Sequence, residues 1–304
     1  MLGIRTNCQG GTSLISCFFI FFVVAIIILA RPCHAESNDG NDLETVVLQL
    51  KWRHQFQFAG CYAAVEQGYY RDAGLKVELR ELAQGEDYVE AVLSGRADYG
   101  VGNSYVLRQR LGGKPLVALA VIFQNSPYIL LTLRDSGITG PTQMSGKRLL
   151  VSESARPITE AMLRAEGVDP AGLEYVPPTE WKLSALEDGI CDVLGAYATT
   201  EPFFLSNAGV QTNIISPRSY GVDFYEDILF SLERTVERHA DRTQRFLAAT
   251  LKGWEYALDH PEEIIDLLLD KYNCGKSRDL LEFEARETRK LIMPDLVEIG
   301  HMNP

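Results

Sequence analysis

Apolar runs of strand length alternate with stretches of helical period from Thr45 onward, and this alternation restricts the chain to a small set of folds. "TVVLQLKW" alternates into a strand, and "AGCYAAVEQGYY" carries apolar residues at helical spacing before "RDAGLKVELREL" returns to a strand. The pattern repeats with "DYVEAVLSGRA" as a helix ending at Gly95, "DYGVG" as a short buried strand, "SYVLRQRLGG" as a helix stopped by glycines and "PLVALAVIF" as a further strand. Such alternation predicts an α/β fold with a mostly parallel sheet covered by helices on both faces. After "NSPYILLTLRDSG" the sequence begins again. "MSGKRLLVSES" and "ARPITEAMLRAEGV" give a strand and a helix, and "LEYVPP" with "KLSALEDGICDVLGAY" gives strand, helix and strand. Two runs imply two lobes, assigned to residues 44–128 plus 225–304 and to residues 129–224. "QTNIISPRSYGVDFYEDILFSLERTV" carries the returning strand. "RTQRFLAATLKGWEYALDH" and "PEEIIDLLLDKY" add two amphipathic helices, the second opened by Pro261.

Residues 14–30 form a nearly unbroken apolar run with Arg5 before it and "RPCHAES" after it, the pattern of an export signal over residues 1–35. An uncleaved membrane anchor is the alternative, because the run is just long enough to span a bilayer. Arg31 and Pro32 before Cys33 argue against lipidation. Net charge is −12, and it moves to −14 once Arg5 and Arg31 leave with the leader. An acidic surface argues against nucleic acid as a partner. Behind the leader only Cys61, Cys191 and Cys274 remain, too few and too widely spaced for a disulfide framework or a metal site.

In open parallel sheets, ligands settle where strands end at their carboxyl edge and helices begin. The polar and aromatic residues at those edges are Trp52, His54 and Gln55 after the first strand, Gly102, Asn103 and Ser104 after "DYGVG", and Gln124 and Ser126 after "PLVALAVIF". Glu153, Trp181, Tyr197 and Glu201 hold the matching places in the second run. Trp52, Tyr62, Trp181 and Tyr197 suit stacking on a flat ring, while Gln55, Asn103 and Glu201 suit its polar edge. The competing reading is that the aromatics fill cores and the polar groups cap helices; for Tyr69 and Tyr70 the core reading is preferred. No nucleophile elbow and no phosphate-loop pattern occurs, and of five histidines only His54 stands at a strand edge. The residues therefore point to binding without catalysis, and they call for no cofactor and no metal.

"LQLKWRHQFQFAGCYAAVEQGYYRDAGLKVEL", followed by "GEDYVEAVLSGRADYGVGNS" and "GKPLVALAVIFQNSP", resembles the exported solute-binding proteins that serve ABC importers for thiamine-precursor pyrimidines, alkanesulfonates and nitrate-type solutes. The resemblance runs from about Leu48 to Tyr272 and includes "GKRLLVSES" and "ATTEPFFL". It implies the two-lobe periplasmic-binding-protein fold of type II, with two hinge crossings and a small planar ligand held between the lobes. The implied partners are the membrane subunits of an importer. The variant "LKW-HQFQFAGYY" also resembles extracytoplasmic sensing domains fused to signalling modules, which makes such a module the alternative partner. The same superfamily contains thiamine pyrimidine synthases that use pyridoxal phosphate, a cofactor lysine, a donor histidine and iron. At the matching positions this chain has Gly102 and Val106, and it lacks their cysteine cluster.

Overall fold

The computed structural model describes residues 43–303; the leader expected over residues 1–35 lies outside them. Strand β1 (Glu44–Gln49) forms because Val46 and Leu48 alternate onto a fully buried face while Glu44 and Thr45 stay outside. It pairs in parallel with β2 (Leu75–Arg80) and β3 (Tyr99–Gly102). The first sheet is completed by β4 (Leu116–Phe123) and β10 (Glu226–Leu232), in the order β2-β1-β3-β10-β4. The second sheet contains β5 (Tyr128–Leu133), β6 (Arg148–Leu150), β7 (Glu174–Tyr175), β8 (Val193–Tyr197) and β9 (Thr212–Ile215), in the order β7-β6-β8-β5-β9.

Each sheet is mixed, and each contains one strand that runs against its neighbours: β10 in the first and β5 in the second. The chain's path explains both. It leaves β4 at a carboxyl end and enters the other sheet directly as β5, then leaves β9 and comes straight back as β10. A strand arriving from the facing sheet enters at the carboxyl edge, so it must run antiparallel. A mostly parallel arrangement is therefore kept everywhere except at the two strands that follow the connections, residues 124–127 and 216–225.

The core of the first sheet lies under Phe56, Phe58, Phe246 and Trp254, all buried. Helix Ala59–Glu66 and the long helix Ala240–Asp259 approach one another at two glycines. A Cβ at Gly253 would lie 2.1 Å from the carbonyl oxygen of Gly60, and one at Gly60 would lie 2.2 Å from the Trp254 ring. This contact presses the first helix onto the sheet and sets where the segment between β1 and that helix runs. Both faces of the second sheet are covered, with Leu130, Leu149 and Met162 on one side and Leu131, Leu194 and Leu205 on the other.

One expected helix is missing. "KLSALEDG" forms only a single 3-10 turn, Leu183–Ala185. Ser184 donates its hydroxyl to Asp188 and Lys182 pairs with the same carboxylate, so local side-chain bonds hold a turn where the apolar spacing suggested a helix. No helix among the described residues is long and apolar enough to cross a membrane.

Candidate ligand-binding cleft

The carboxyl ends of β1, β3, β6 and β8 converge on one cavity of about 610 Å³, within the size range of small-molecule sites. Its polar floor begins at Lys51, two residues after β1 and 7% exposed. The Lys51 ammonium lies 2.5 Å from Glu226 Oε1 and 2.6 Å from Asp227 Oδ1. Gln57 Nε2 donates to Asp227 Oδ1 at 2.8 Å, and Gln55 Nε2 donates in turn to Gln57. From the second sheet, the Tyr197 hydroxyl donates to Glu226 Oε1 at 3.2 Å, and the Lys51 ammonium stands 5.5 Å from the centre of the Tyr197 ring. One bonded chain thus runs from Gln55 through the start of β10 to Tyr197 and joins the two sheets beneath the cavity.

Burial opposes the charge on Lys51, but the Asp227 and Glu226 carboxylates outweigh it and hold the lysine pKa above its ordinary value. Burial pushes both carboxyls up as they compete for that single cation. Asp227 also adopts a left-handed backbone (φ 49°), a conformation that costs energy outside glycine and is held here by the Gln57 and Lys51 contacts.

The walls are aromatic. Trp52 (57% exposed) comes from the first sheet and Trp181 (43% exposed) from the second, whose indole N–H is fixed by the Gly195 carbonyl at 3.2 Å. Tyr88, Tyr105, Tyr128 and Tyr197 complete the lining. Asn103 accepts from the Tyr88 hydroxyl and from the Tyr105 backbone N–H, each at 2.9 Å. Those two bonds occupy the carboxamide oxygen and leave its NH2 as the group to meet a ligand. Glu201 accepts from the Tyr197 backbone N–H at 2.6 Å, and burial pushes its carboxyl up while that bond pulls it down.

Of the residues singled out in the sequence, Trp52, Gln55, Asn103, Glu153, Trp181, Tyr197 and Glu201 line this cavity. Five others stand elsewhere. His54 places Nδ1 2.9 Å from the Tyr62 hydroxyl and packs edge-on against Tyr62 and Tyr272, and burial lowers its pKa. Gly102 ends β3 in a space so tight that a Cβ would lie 2.5 Å from Val106 and 2.9 Å from Tyr88. Ser104 begins helix Tyr105–Leu111. Gln124 donates to the Val121 and His301 carbonyls, and Ser126 accepts from the Tyr128 N–H, so both brace a connection between the sheets. Tyr62, considered for stacking, is fully buried in the core, as is Tyr70.

Sequence reasoning missed Lys51, Gln57, Tyr88 and Lys276. Lys51 adjoins Trp52 at the end of β1, and the strand-edge rule extended by one residue would have found it. Lys276 comes from a loop before the last helix, Arg278–Ile292, and no local pattern points to it.

The residues present do not fit a lysine-bound pyridoxal cofactor. Gly102 has no room for a side chain, and the cavity lysines are bound to carboxylates, Lys51 as above and Lys276 2.9 Å from Glu284. A Schiff base requires a free amine, which charge pairing withholds.

Comparison with known proteins agrees with this architecture. A formylaminopyrimidine-binding protein of Halalkalibacterium halodurans is 28% identical over 260 residues, covering 82% of this chain and 77% of that one. A 4-amino-5-hydroxymethyl-2-methylpyrimidine phosphate synthase of Legionella pneumophila is 23% identical over 228 residues, covering 73% and 72%. Among solved structures, the periplasmic aliphatic sulphonate binding protein SsuA from Escherichia coli superposes with a TM-score of 0.65 at 16% identity, over 81% of this chain and 83% of that one, and so shares the fold. Residues 55–264 match the family described as NMT1/THI5 like, and the chain belongs to that family.

Proposed function

We propose that this chain is an extracytoplasmic solute-binding protein that captures a small planar heteroaromatic molecule, a thiamine-precursor pyrimidine, for the membrane subunits of an ABC importer. The observation that carries the reading is the pair of half-exposed tryptophans, Trp52 and Trp181, one from each sheet, lining a single cavity. Large apolar rings left open to water at a concave site are sites of contact for a ligand. A flat ring sandwiched between them touches both sheets, so it stabilises the closed arrangement selectively and the two connections act as the hinge. Asn103, Gln55 and Glu201 supply polar contacts to the ring edge. The pyrimidine named for the Halalkalibacterium halodurans relative supports this ligand class. Export follows from the apolar segment over residues 14–30.

A thermal-shift titration with formylaminopyrimidine and 4-amino-5-hydroxymethyl-2-methylpyrimidine tests the proposal. At free ligand a hundred times the dissociation constant, the stabilisation is about 2.7 kcal/mol, or a rise of roughly 5–10 °C for a chain of this size. Trp52→Ala and Asn103→Ala should each abolish most of the shift. No saturable shift with either pyrimidine would refute the ligand class.

A further inference from the structure

The fold is shared with a sulphonate binder, yet many of the groups that would receive an anion in this cleft are already in use. An anion in such a site needs uncommitted backbone N–H groups or a cation without a partner. Where the chain turns into helices beside the cavity, the Val89 and Glu90 N–H groups both donate to the Asp87 carboxylate, at 2.7 and 3.3 Å. The Tyr105 N–H is taken by Asn103, the Tyr197 N–H by Glu201, and the Ala155 and Arg156 N–H groups by Ser152. Pro157 and Pro202, in the first turns of their helices, have no N–H to offer.

Two of the three cations lining the cavity are committed to carboxylates as well. Lys51 serves two carboxylates and Lys276 serves Glu284. Arg108 stands exposed, its guanidinium 4.9 Å from the centre of the Tyr105 ring. Against them, Glu153 lines the cavity exposed and with no salt bridge among the described residues, and Asp227 Oδ2 is buried with no hydrogen-bond partner among them. With two carboxylates around one lysine, the floor carries an excess of negative charge.

We infer that the cleft excludes anions: it takes an uncharged or protonated amino-substituted ring and rejects the same ring bearing a phosphate, along with sulfonates. The inference rests on the proposed site but is separable from the proposed ligand. A phosphate or sulfonate would enter beside Glu153 and Glu201, with the Asn103 NH2 and the exposed Arg108 to set against those carboxylates, and like charges juxtaposed in a partly buried site are strongly unfavourable.

Isothermal titration of the whole protein with 4-amino-5-hydroxymethyl-2-methylpyrimidine, its phosphate monoester and the sulfonate MOPS tests it. The alcohol should bind about a hundredfold more tightly than the ester, and MOPS should give no saturable heat. Glu153→Gln, an exposed change that spares the core, should narrow the alcohol-to-ester ratio. An ester that binds as tightly as the alcohol, or saturable MOPS binding, overturns the inference. Saturation-transfer NMR with benzylamine and benzenesulfonate, flat rings of opposite charge, decides the question without any pyrimidine. Transfer to benzylamine alone supports it, whereas equal transfer, transfer to the sulfonate alone, or transfer to neither overturns it. Silence from both pyrimidines together with selective transfer to benzylamine would sink the thiamine-precursor reading and leave the anion exclusion standing.

Discussion

Lys51 is the residue on which the cleft floor depends. Removing one partner of a buried charge pair leaves the remaining charges uncompensated, which costs about 3–5 kcal/mol; here Lys51→Met would leave two buried carboxylates facing each other. We expect denaturant unfolding to show a loss of that order, and we expect much of it to be recovered when Glu226→Gln and Asp227→Asn are added. Simple additivity of the three changes would argue against the cluster acting as a unit. Glu201 gives a pH test of opposite sense. Its carboxyl is pushed up in the folded state, so folding is favoured while the group stays protonated. That contribution is complete below the ordinary value of 4.5 and is lost as pH rises through the folded value, leaving a cost at neutral pH. Glu201→Gln keeps an oxygen for the Tyr197 N–H and removes the charge. Thermal unfolding should therefore find the variant more stable than the parent at pH 8, with the difference shrinking as pH falls toward 4.5; a less stable variant at pH 8 would contradict the burial argument.

At the scale of elements, the pairing of helix Ala59–Glu66 with helix Ala240–Asp259 depends on the absence of side chains at Gly60 and Gly253. The obstacle to a Cβ at Gly253 is the Gly60 backbone, which cannot rotate away, so Gly253→Ala must separate the helices. Overpacking of this kind costs about 1–3 kcal/mol or more, and the measured midpoint of chemical unfolding should fall accordingly. A variant as stable as the parent would mean the helices have room to shift.

Elements were the most legible level of the sequence. β1, β2, β3 and β4 and the helices between them follow from local periodicity, because each buries one face and its residues are near neighbours in the chain. The turn at Leu183–Ala185 was misread because the Ser184 and Lys182 bonds to Asp188 compete with helix formation without altering the apolar spacing. The site was half legible. Trp52, Asn103, Tyr197 and Glu201 stand at strand ends and announce themselves there. The binding of Lys51 to Glu226 spans 175 positions, and Gln57 meets Asp227 across 170, so nothing in either local sequence reveals those pairs. His54 and Tyr62 show the converse error, because polar aromatics at a strand edge also serve as packing when a neighbour such as Tyr272 covers them.

For the molecule as a whole, the two connections between the sheets are joined by the end of the last helix and the segment that follows it. The Gln124 N–H donates to the Leu291 carbonyl at 2.9 Å, its side chain donates to the His301 carbonyl at 3.0 Å, and Val121 forms a bridge with Gly300. Across from them, the Asn303 N–H donates to the Tyr225 hydroxyl at 3.3 Å, so residues 291–303 hold one connection at Gln124 and the other at Tyr225. If closing the cleft bends these connections, the strap must feel ligand binding although none of its residues lines the cavity. Hydrogen exchange should then show the Val121 and Gln124 amides slowing when a saturating pyrimidine is added. In Gln124→Ala/Tyr225→Phe, loss of three hydrogen bonds, from Gln124 to the Val121 and His301 carbonyls and from Asn303 to Tyr225, worth together about 1–2 kcal/mol, should speed their exchange roughly 5- to 30-fold, while the amides of β6 and β8 stay as they were. Unchanged protection at Val121 and Gln124 in the ligand-bound protein would show that the pivot lies outside these connections, and closure would then have to be sought in the contacts between Tyr197 and the β10 carboxylates.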